Sequence, residues 1–191
     1  MLVGMALRDR LPSLAFWKRG GGGDADAPAP GAMHVLMVCT GNLCRSPTAQ
    51  GVLRAKLRQA GLQHAVWVDS AGTHGYHTAE PPDARAMRQA LARGYDLSAL
   101  KARPVTSRDF ARFHWMLAMD EANLAWLRRK VPPSGTAAPR IELLTAAGGL
   151  SEPEVPDPYY GPDAGFEQVL DLVERACDGL VQRLGRELSV N

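Results

Sequence analysis

The chain places a thiol and a guanidinium at the two ends of one short loop, Cys39-Thr40-Gly41-Asn42-Leu43-Cys44-Arg45-Ser46-Pro47. The apolar run His34-Val35-Leu36-Met37-Val38 precedes it, and a helical pattern starts near Ser46. Strand, tight loop and helix is a geometry that presents backbone N–H groups to an anion. Curled around one phosphoryl group, such a loop lets Arg45 hold two oxygens as a fork while the Cys39 sulfur sits in line with phosphorus. An ordinary thiol, with a pKa of about 8.5, is mostly protonated at neutral pH. A helix start, inward N–H groups and a nearby arginine all favour the thiolate, so Cys39 is expected to act as a nucleophile.

The other loop residues fit that chemistry. Ser46 is placed to donate its hydroxyl to the sulfur, which stabilises it as an anion and as a leaving group. Gly41 is expected to let the backbone approach the phosphate and to tolerate unusual φ. Asn42 is one of the few non-glycine residues at ease in the left-handed region, and its side chain can tie the loop together. Pro47 suits the first turn of a helix. A metal half-site at Cys39 and Cys44 is not expected, because no second Cys/His pair of matching kind follows. The five histidines are scattered without ligand spacing; His74 and His77 flank Tyr76, where contact with substrate is one reading and plain surface loop residues the favoured one.

This nonapeptide resembles the phosphate loop of the low-molecular-weight protein tyrosine phosphatases. Further blocks are similar to that family in order and spacing. They are Val68-Asp69-Ser70-Ala71-Gly72-Thr73 with Tyr76, then Pro81-Pro82-Asp83-Ala84-Arg85, Asp109-Phe110, Met119-Asp120-Glu121-Ala122-Asn123-Leu124 and Asp157-Pro158-Tyr159-Tyr160. The resemblance runs from about residue 34 to about 184. It implies a four-stranded parallel sheet with helices on both faces, in a flavodoxin-like arrangement. It also implies hydrolysis of phosphotyrosine through a phosphocysteine, with Cys39, Arg45 and Asp157 catalytic and no metal or other cofactor.

On its own, Val155-Pro156-Asp157-Pro158 reads as a proline-braced turn. The resemblance makes Asp157 the general acid, which a phenolate leaving group with a conjugate-acid pKa near 10 requires. It further implies that phosphate and substrate are held by Thr40, Gly41, Asn42, Leu43, Cys44, Ser46, Tyr76, Tyr159 and Tyr160. Alone, Tyr76 would be a packing or surface residue. Leu43 is bulky and apolar, which favours a flat aromatic leaving group; family members resembling protein-arginine phosphatases carry a small polar residue there. Cys44 reads as a small packing residue of the loop, and the resemblance implies, compatibly with that, a disulfide partner that protects Cys39 from over-oxidation. Asp120 reads as a helix cap in the pattern Asp-x-x-Asn, and the resemblance adds a brace for the loop. The resemblance also makes Tyr159 and Tyr160 candidate phosphorylation sites.

Two other activities use similar parts. Thiol-dependent arsenate reduction needs further relay cysteines, and only Cys44 and Cys177 are on offer. Cys177 falls in an apolar helical pattern and reads as core. Phosphoarginine hydrolysis is the other, opposed by Leu43 and by the tyrosine pair. A module that binds phosphotyrosine without turnover has no use for Cys39 and Asp157.

Composition bounds the rest. The 191 residues suit one domain, and 46% hydrophobic with 22% charged residues reads as globular. A net charge of +2 gives no reason to expect nucleic acid as a partner. Three cysteines, two of them in a reactive loop, fit a reducing compartment, so a cytoplasmic location is expected. The expected partner is a phosphotyrosine-containing protein, and the expected state is a monomer or weak dimer. No membrane span is apparent. Residues 1–32 stand apart as an N-terminal extension: a short basic amphipathic segment, then a Gly- and Ala/Pro-rich linker. The favoured reading is a start placed too far upstream, with Met33 as the true first residue and 33–191 as the phosphatase domain. A membrane-surface anchor is the alternative. A signal sequence is opposed by Pro12 and by the lack of a cleavage site.

The elements that position these residues alternate. Strands are expected over 35–38, 66–69, 115–118 and 140–144. Helices are expected over 46–60 ended by Gly61, 83–93 ended by Gly94, 121–129 stopped by Pro132 and Pro133, and 163–184. Such alternation implies a parallel sheet covered on both faces, with Cys39 at the carboxyl end of the first strand. Pro104 departs from the family pattern in a connecting segment where it is expected to be tolerated. Residues 146–154 read as a Gly/Ala-rich linker.

Overall fold

Alternation of buried residues along the first strand sets the architecture. A computed structural model describes residues 29–132 and 138–189. In β1 (Met33–Cys39), Val35, Met37 and Cys39 enter one core layer, while Leu36 and Val38 enter the other. Successive strand side chains point to opposite faces, so a strand buried on both faces reads as a continuous apolar run. β3 (Trp115–Ala118) repeats the device: Trp115 and Leu117 face the first layer, Met116 and Ala118 the second.

With β2 (Val66–Gly72) and β4 (Arg140–Leu143) the sheet has the order β2-β1-β3-β4, all parallel. Among the described residues the helices are α1 (Arg45–Gln59), α2 (Ala84–Ala92), α3 (Asp109–Arg112), α4 (Glu121–Lys130), α5 (Leu144–Ala147) and α6 (Asp163–Ser189). Val52, Leu53 and Leu57 of α1 and Val169, Val173 and Leu180 of α6 fill the first layer. Phe110 of α3 and Leu124 and Leu127 of α4 fill the second. Strand order reverses between β1 and β3, and in such sheets ligands bind at that crevice, beyond the carboxyl ends of the strands. Cys39 is the last residue of β1.

The expected four-stranded, two-faced sheet is therefore present. Both glycine stops are also there: Gly61 has φ +72° and Gly94 φ +84°. Leu62 N–H reaches the Leu57 carbonyl and Tyr95 N–H the Ala90 carbonyl, the left-handed closure that glycine permits at a helix end. Two short helices were not expected. The predicted strand over 140–144 ends at Leu143, and Leu144 opens α5. α3 begins at Asp109, whose carboxylate accepts from the Thr106 N–H and hydroxyl. Pro104 is tolerated for a definable reason. It forms an isolated parallel bridge with Gly72, but the bonds run from Gly72 N–H to the Arg103 carbonyl and from Val105 N–H to the Gly72 carbonyl. No donor is asked of the proline itself.

The readings for residues 1–28 and for Pro133 lie outside the described residues. No helix among the described residues is long and apolar enough to cross a membrane.

Close backbone packing anchors the segment that carries Asp157. A Cβ on Gly179 of α6 would overlap the carbonyl of Gly148, at the end of α5. Helix propensity alone favours Gly179→Ala by about 1 kcal/mol. Overpacking of backbone against side chain costs about 1–3 kcal/mol and should win. Gly179→Ala is expected to lower Tm by several degrees in a calorimetric scan; a rise would show that α5 and α6 can separate freely.

Candidate active site

The loop between β1 and α1 is held from outside through its carbonyls. The Cys39 carbonyl accepts from Thr73 N–H, that of Thr40 from His74 N–H, and that of Leu43 from Asp83 N–H, at 2.8, 3.0 and 2.9 Å. A trans peptide points its N–H opposite to its C=O. The N–H groups of Thr40, Gly41 and Cys44 therefore point away from these three donors. The left-handed residue is Asn42, with φ +57°, as expected. Gly41 is not left-handed. It is small because a Cβ there would sit 3.3 Å from Cδ2 of His77, which covers it.

A buried polar chain fixes the loop from beneath. Asn42 Nδ2 donates to Ser46 Oγ and to Ser70 Oγ, each at 2.9 Å, and its Oδ1 accepts from Arg103 N–H at 2.9 Å. Ser70 Oγ donates onward to Gln50 Oε1 at 2.6 Å. With one lone pair of Ser46 Oγ engaged by Asn42, its proton can go to Cys39 Sγ at 3.0 Å or to the Ala71 carbonyl at 3.4 Å. The sulfur is nearer, and it also receives Asn42 N–H at 3.2 Å. Two donors converging on a sulfur stabilise it as an anion.

Arg45, the first residue of α1, lies under the mouth with its side chain 3% exposed. Its Nη1 donates to Asp120 Oδ2 at 2.5 Å and to the Val155 carbonyl at 3.3 Å. Its Nη2 donates to Asp157 Oδ2 at 2.6 Å and to Thr40 Oγ1 at 3.4 Å. Burial opposes the charge, but Cys39, Asp157 and Asp120 around it hold the guanidinium pKa above its ordinary value. Asp120 does cap α4, accepting from Asn123 N–H at 2.7 Å. Its other oxygen braces Arg45, so both roles foreseen for it are filled. Asn123 Nδ2 donates to Thr40 Oγ1 at 3.2 Å.

Asp157 stands opposite on an irregular segment. Val155 is fully buried and donates its N–H to the Met119 carbonyl at 2.7 Å. Thr145 Oγ1 of α5 holds the Pro153 carbonyl at 3.2 Å. Beyond these anchors the Asp157 side chain is half-exposed, and its Oδ1 accepts from Tyr159 N–H at 3.2 Å.

One open pocket collects these groups. Cys39, Thr40, Gly41, Leu43, Cys44, Arg45 and Asp157 line it together with Tyr76, Tyr159 and Tyr160. Tyr76 is 83% exposed and Tyr160 97%, so both rings stand out at the mouth with a face open to a flat group. Asn42 and Ser46 lie behind the loop rather than on the pocket wall.

His74 and His77 line the pocket, so of their two readings the one at the substrate mouth fits better than the plain surface one. His74 stacks on Tyr76 with centroids 5.4 Å apart, and His77 pairs with Glu80 at 3.0 Å. Their spacing around Tyr76 was the available signal. Cys44 is buried, and that burial, followed by the charge of Asp83, pushes its thiol pKa up. Cys177 is core, and burial again raises its thiol pKa.

Comparison with known proteins gives the family. Residues 34–190 match the family described as low molecular weight phosphotyrosine protein phosphatase. A putative low molecular weight protein-tyrosine-phosphatase of Synechocystis is 41% identical over 157 residues, 82% of this chain and 99% of that protein. The human low molecular weight phosphotyrosine protein phosphatase is 39% identical over 149 residues, 78% of this chain and 94% of its own length. Among solved structures, a protein tyrosine phosphatase of Entamoeba histolytica with Hepes in the active site superposes with a TM-score of 0.75. It shares 35% identity and covers 82% of this chain and 99% of that one. With the loop, the sheet and these relatives in agreement, the chain belongs to the low-molecular-weight phosphotyrosine protein phosphatase family.

Proposed function

We propose that Cys39, Arg45 and Asp157 carry the reaction of this family, cysteine-dependent hydrolysis of phosphotyrosine through a phosphocysteine. The observation that supports the assignment is their meeting in one aromatic-rimmed pocket, with Ser46 Oγ and Asn42 N–H on the Cys39 sulfur. In the first step the Cys39 thiolate attacks phosphorus, the P–O bond to the phenol breaks, and Asp157 gives its proton to the departing oxygen. In the second step water attacks phosphorus, Asp157 takes a proton from it, and the P–S bond breaks to return the thiolate. Arg45 and the loop N–H groups hold the equatorial oxygens in both transition states.

The free enzyme adds a condition. Asp157 occupies Arg45 Nη2, where a phosphoryl oxygen would bind. A substrate dianion must displace that carboxylate, which then takes a proton from solvent and faces the leaving group as the acid. Leu43 and the rings of Tyr76, Tyr159 and Tyr160 line the approach, so the substrate is a phosphotyrosine side chain presented by a protein. The bulky, apolar Leu43 among them suits a phenyl ring better than a guanidinium.

Asp157→Asn is expected to lower kcat/KM for phenyl phosphate by about 10²-fold, at the low end of general-acid effects. The same variant should bind inorganic phosphate more tightly, because the competing carboxylate is neutral. Steady-state assays in EDTA and calorimetric titration with phosphate read the two effects. Unchanged phenyl phosphate hydrolysis would remove Asp157 from the mechanism.

A further inference from the structure

We infer that Arg85 is a positioning residue for the acid: it ties the Asp157 segment to the phosphate loop and sets how well Asp157 reaches the departing oxygen. The inference rests on Asp157 being the general acid.

The tie can be followed bond by bond. Asp83 donates its N–H to the Leu43 carbonyl in the phosphate loop at 2.9 Å. Its carboxylate caps α2, accepting from Arg85 N–H at 2.8 Å, and also takes Arg85 Nε at 3.1 Å and Nη2 at 2.9 Å. The same guanidinium then crosses to the acid segment. Nη2 donates to the Tyr159 carbonyl at 2.9 Å and Nη1 to the Gly161 carbonyl at 3.4 Å. Its flat face lies 4.4 Å from the centroid of Phe166, at the start of α6. Tyr159 N–H, in turn, donates to Asp157 Oδ1. An unbroken path thus links the loop that holds phosphate to the carboxylate that must protonate the ester oxygen.

Geometry explains why arginine is needed. One planar fork satisfies a carboxylate and two carbonyls while stacking on a ring, and the point charge of lysine cannot do all of these. The Asp157 segment is fixed on its amino side by Val155 and Pro153. On its carboxyl side Tyr159 packs against the cluster of Leu43, Cys44, Ala86, Ala102 and Phe166, and Arg93 pairs with Asp171 and Glu174 further along α6; the pair nearest the acid, Arg88–Asp163 at 3.2 Å, has both side chains about 60% exposed. Such exposed pairs hold little. Without Arg85 that side keeps its packing but loses the hydrogen bonds to the Tyr159 and Gly161 carbonyls, and small misplacements of a catalytic group cost large factors in rate.

The test compares kcat/KM for phenyl phosphate and p-nitrophenyl phosphate. The first leaving group needs a proton far more than the second. The variants are Arg85→Met, Arg85→Lys, Asp157→Asn and the double variant Arg85→Met/Asp157→Asn, each checked by a melting curve. Arg85→Met should lose about 10-fold more on phenyl phosphate than on p-nitrophenyl phosphate, and Arg85→Lys should recover part of that gap. In the Asp157→Asn background Arg85→Met should cost less than about 2-fold, because a positioning residue has nothing left to position.

Equal losses on both substrates, or the same loss in the Asp157→Asn background, would overturn the inference and leave Arg85 a purely structural residue. If Arg85→Met does not fold, Arg85→Lys carries the same comparison. Should Asp157→Asn itself fail to discriminate the two substrates, the acid assignment falls and takes the positioning role with it. That outcome is distinct from a failure of Arg85 alone.

Discussion

Cys39→Ser is expected to abolish turnover of p-nitrophenyl phosphate, by about 10⁵–10⁶-fold, the scale seen when a covalent nucleophile is removed. A serine hydroxyl is not ionised where a thiol can be, and an alkoxide is a poor leaving group in the second step. The substitution should leave the site standing. Ser46 Oγ and Asn42 N–H can serve an oxygen as they serve the sulfur, and Arg45 with the loop N–H groups is untouched. The variant should therefore still bind phosphate with an affinity near that of wild type. A rapid-quench experiment with p-nitrophenyl phosphate in EDTA reads the first claim, and titration with phosphate reads the second. The wild type should show a burst of p-nitrophenol as the phosphocysteine fills, and Cys39→Ser should show none. Turnover within about 10-fold of wild type would remove Cys39 from the reaction.

Local chemistry was legible in the sequence, and long-range pairing was not. The loop 39–47 announced itself because nucleophile, left-handed asparagine and helix start are neighbours in the chain. Asp120 was readable as a cap because its partner, Asn123, is three residues away. Its ion pair with Arg45 spans 75 residues and has no local signature. The same holds for Arg45 and Asp157, 112 residues apart. The fold places both acids on one guanidinium by bringing the ends of β1 and β3 and the segment after α5 to one edge of the sheet. The chain Gln50–Ser70–Asn42–Ser46 escaped for another reason. These are polar residues inside otherwise apolar layers, and only the satisfied network makes their burial affordable.

Elements followed the same division. Long periodic stretches and glycine stops placed α1, α2 and α6 to within a few residues, since periodicity and caps are local. The one-turn helices α3 and α5 were missed. A single turn is too short to show a period, and tertiary contacts decide it. For α5 those contacts are the approach of Gly148 to α6 and the bond from Thr145 to Pro153. The supposed linker over 146–154 is thus partly a packed turn that aims the acid segment.

Arg45 should show the second large effect, and its two variants should separate chemistry from stability. Arg45→Ala is expected to lower kcat/KM by about 10³–10⁵-fold, the range for an arginine that stabilises transferring phosphoryl groups. It should also destabilise the fold. Asp120, whose side chain is 18% exposed, would lose its partner, and breaking a buried pair from one side costs about 3–5 kcal/mol. Asp157 adds little to that cost, because it is 48% exposed and can turn to water. Arg45→Lys keeps a cation near Asp120 and should spare most of the Tm. It cannot hold phosphate as a fork, so kcat/KM should still fall by about 10²–10³-fold, the loss typical of one well-aimed donor. Thermal melts and steady-state kinetics on both variants read the two axes independently. Near-normal kcat/KM in a folded Arg45→Lys enzyme would mean that charge alone suffices, and that the loop N–H groups, not the guanidinium geometry, carry the transition state.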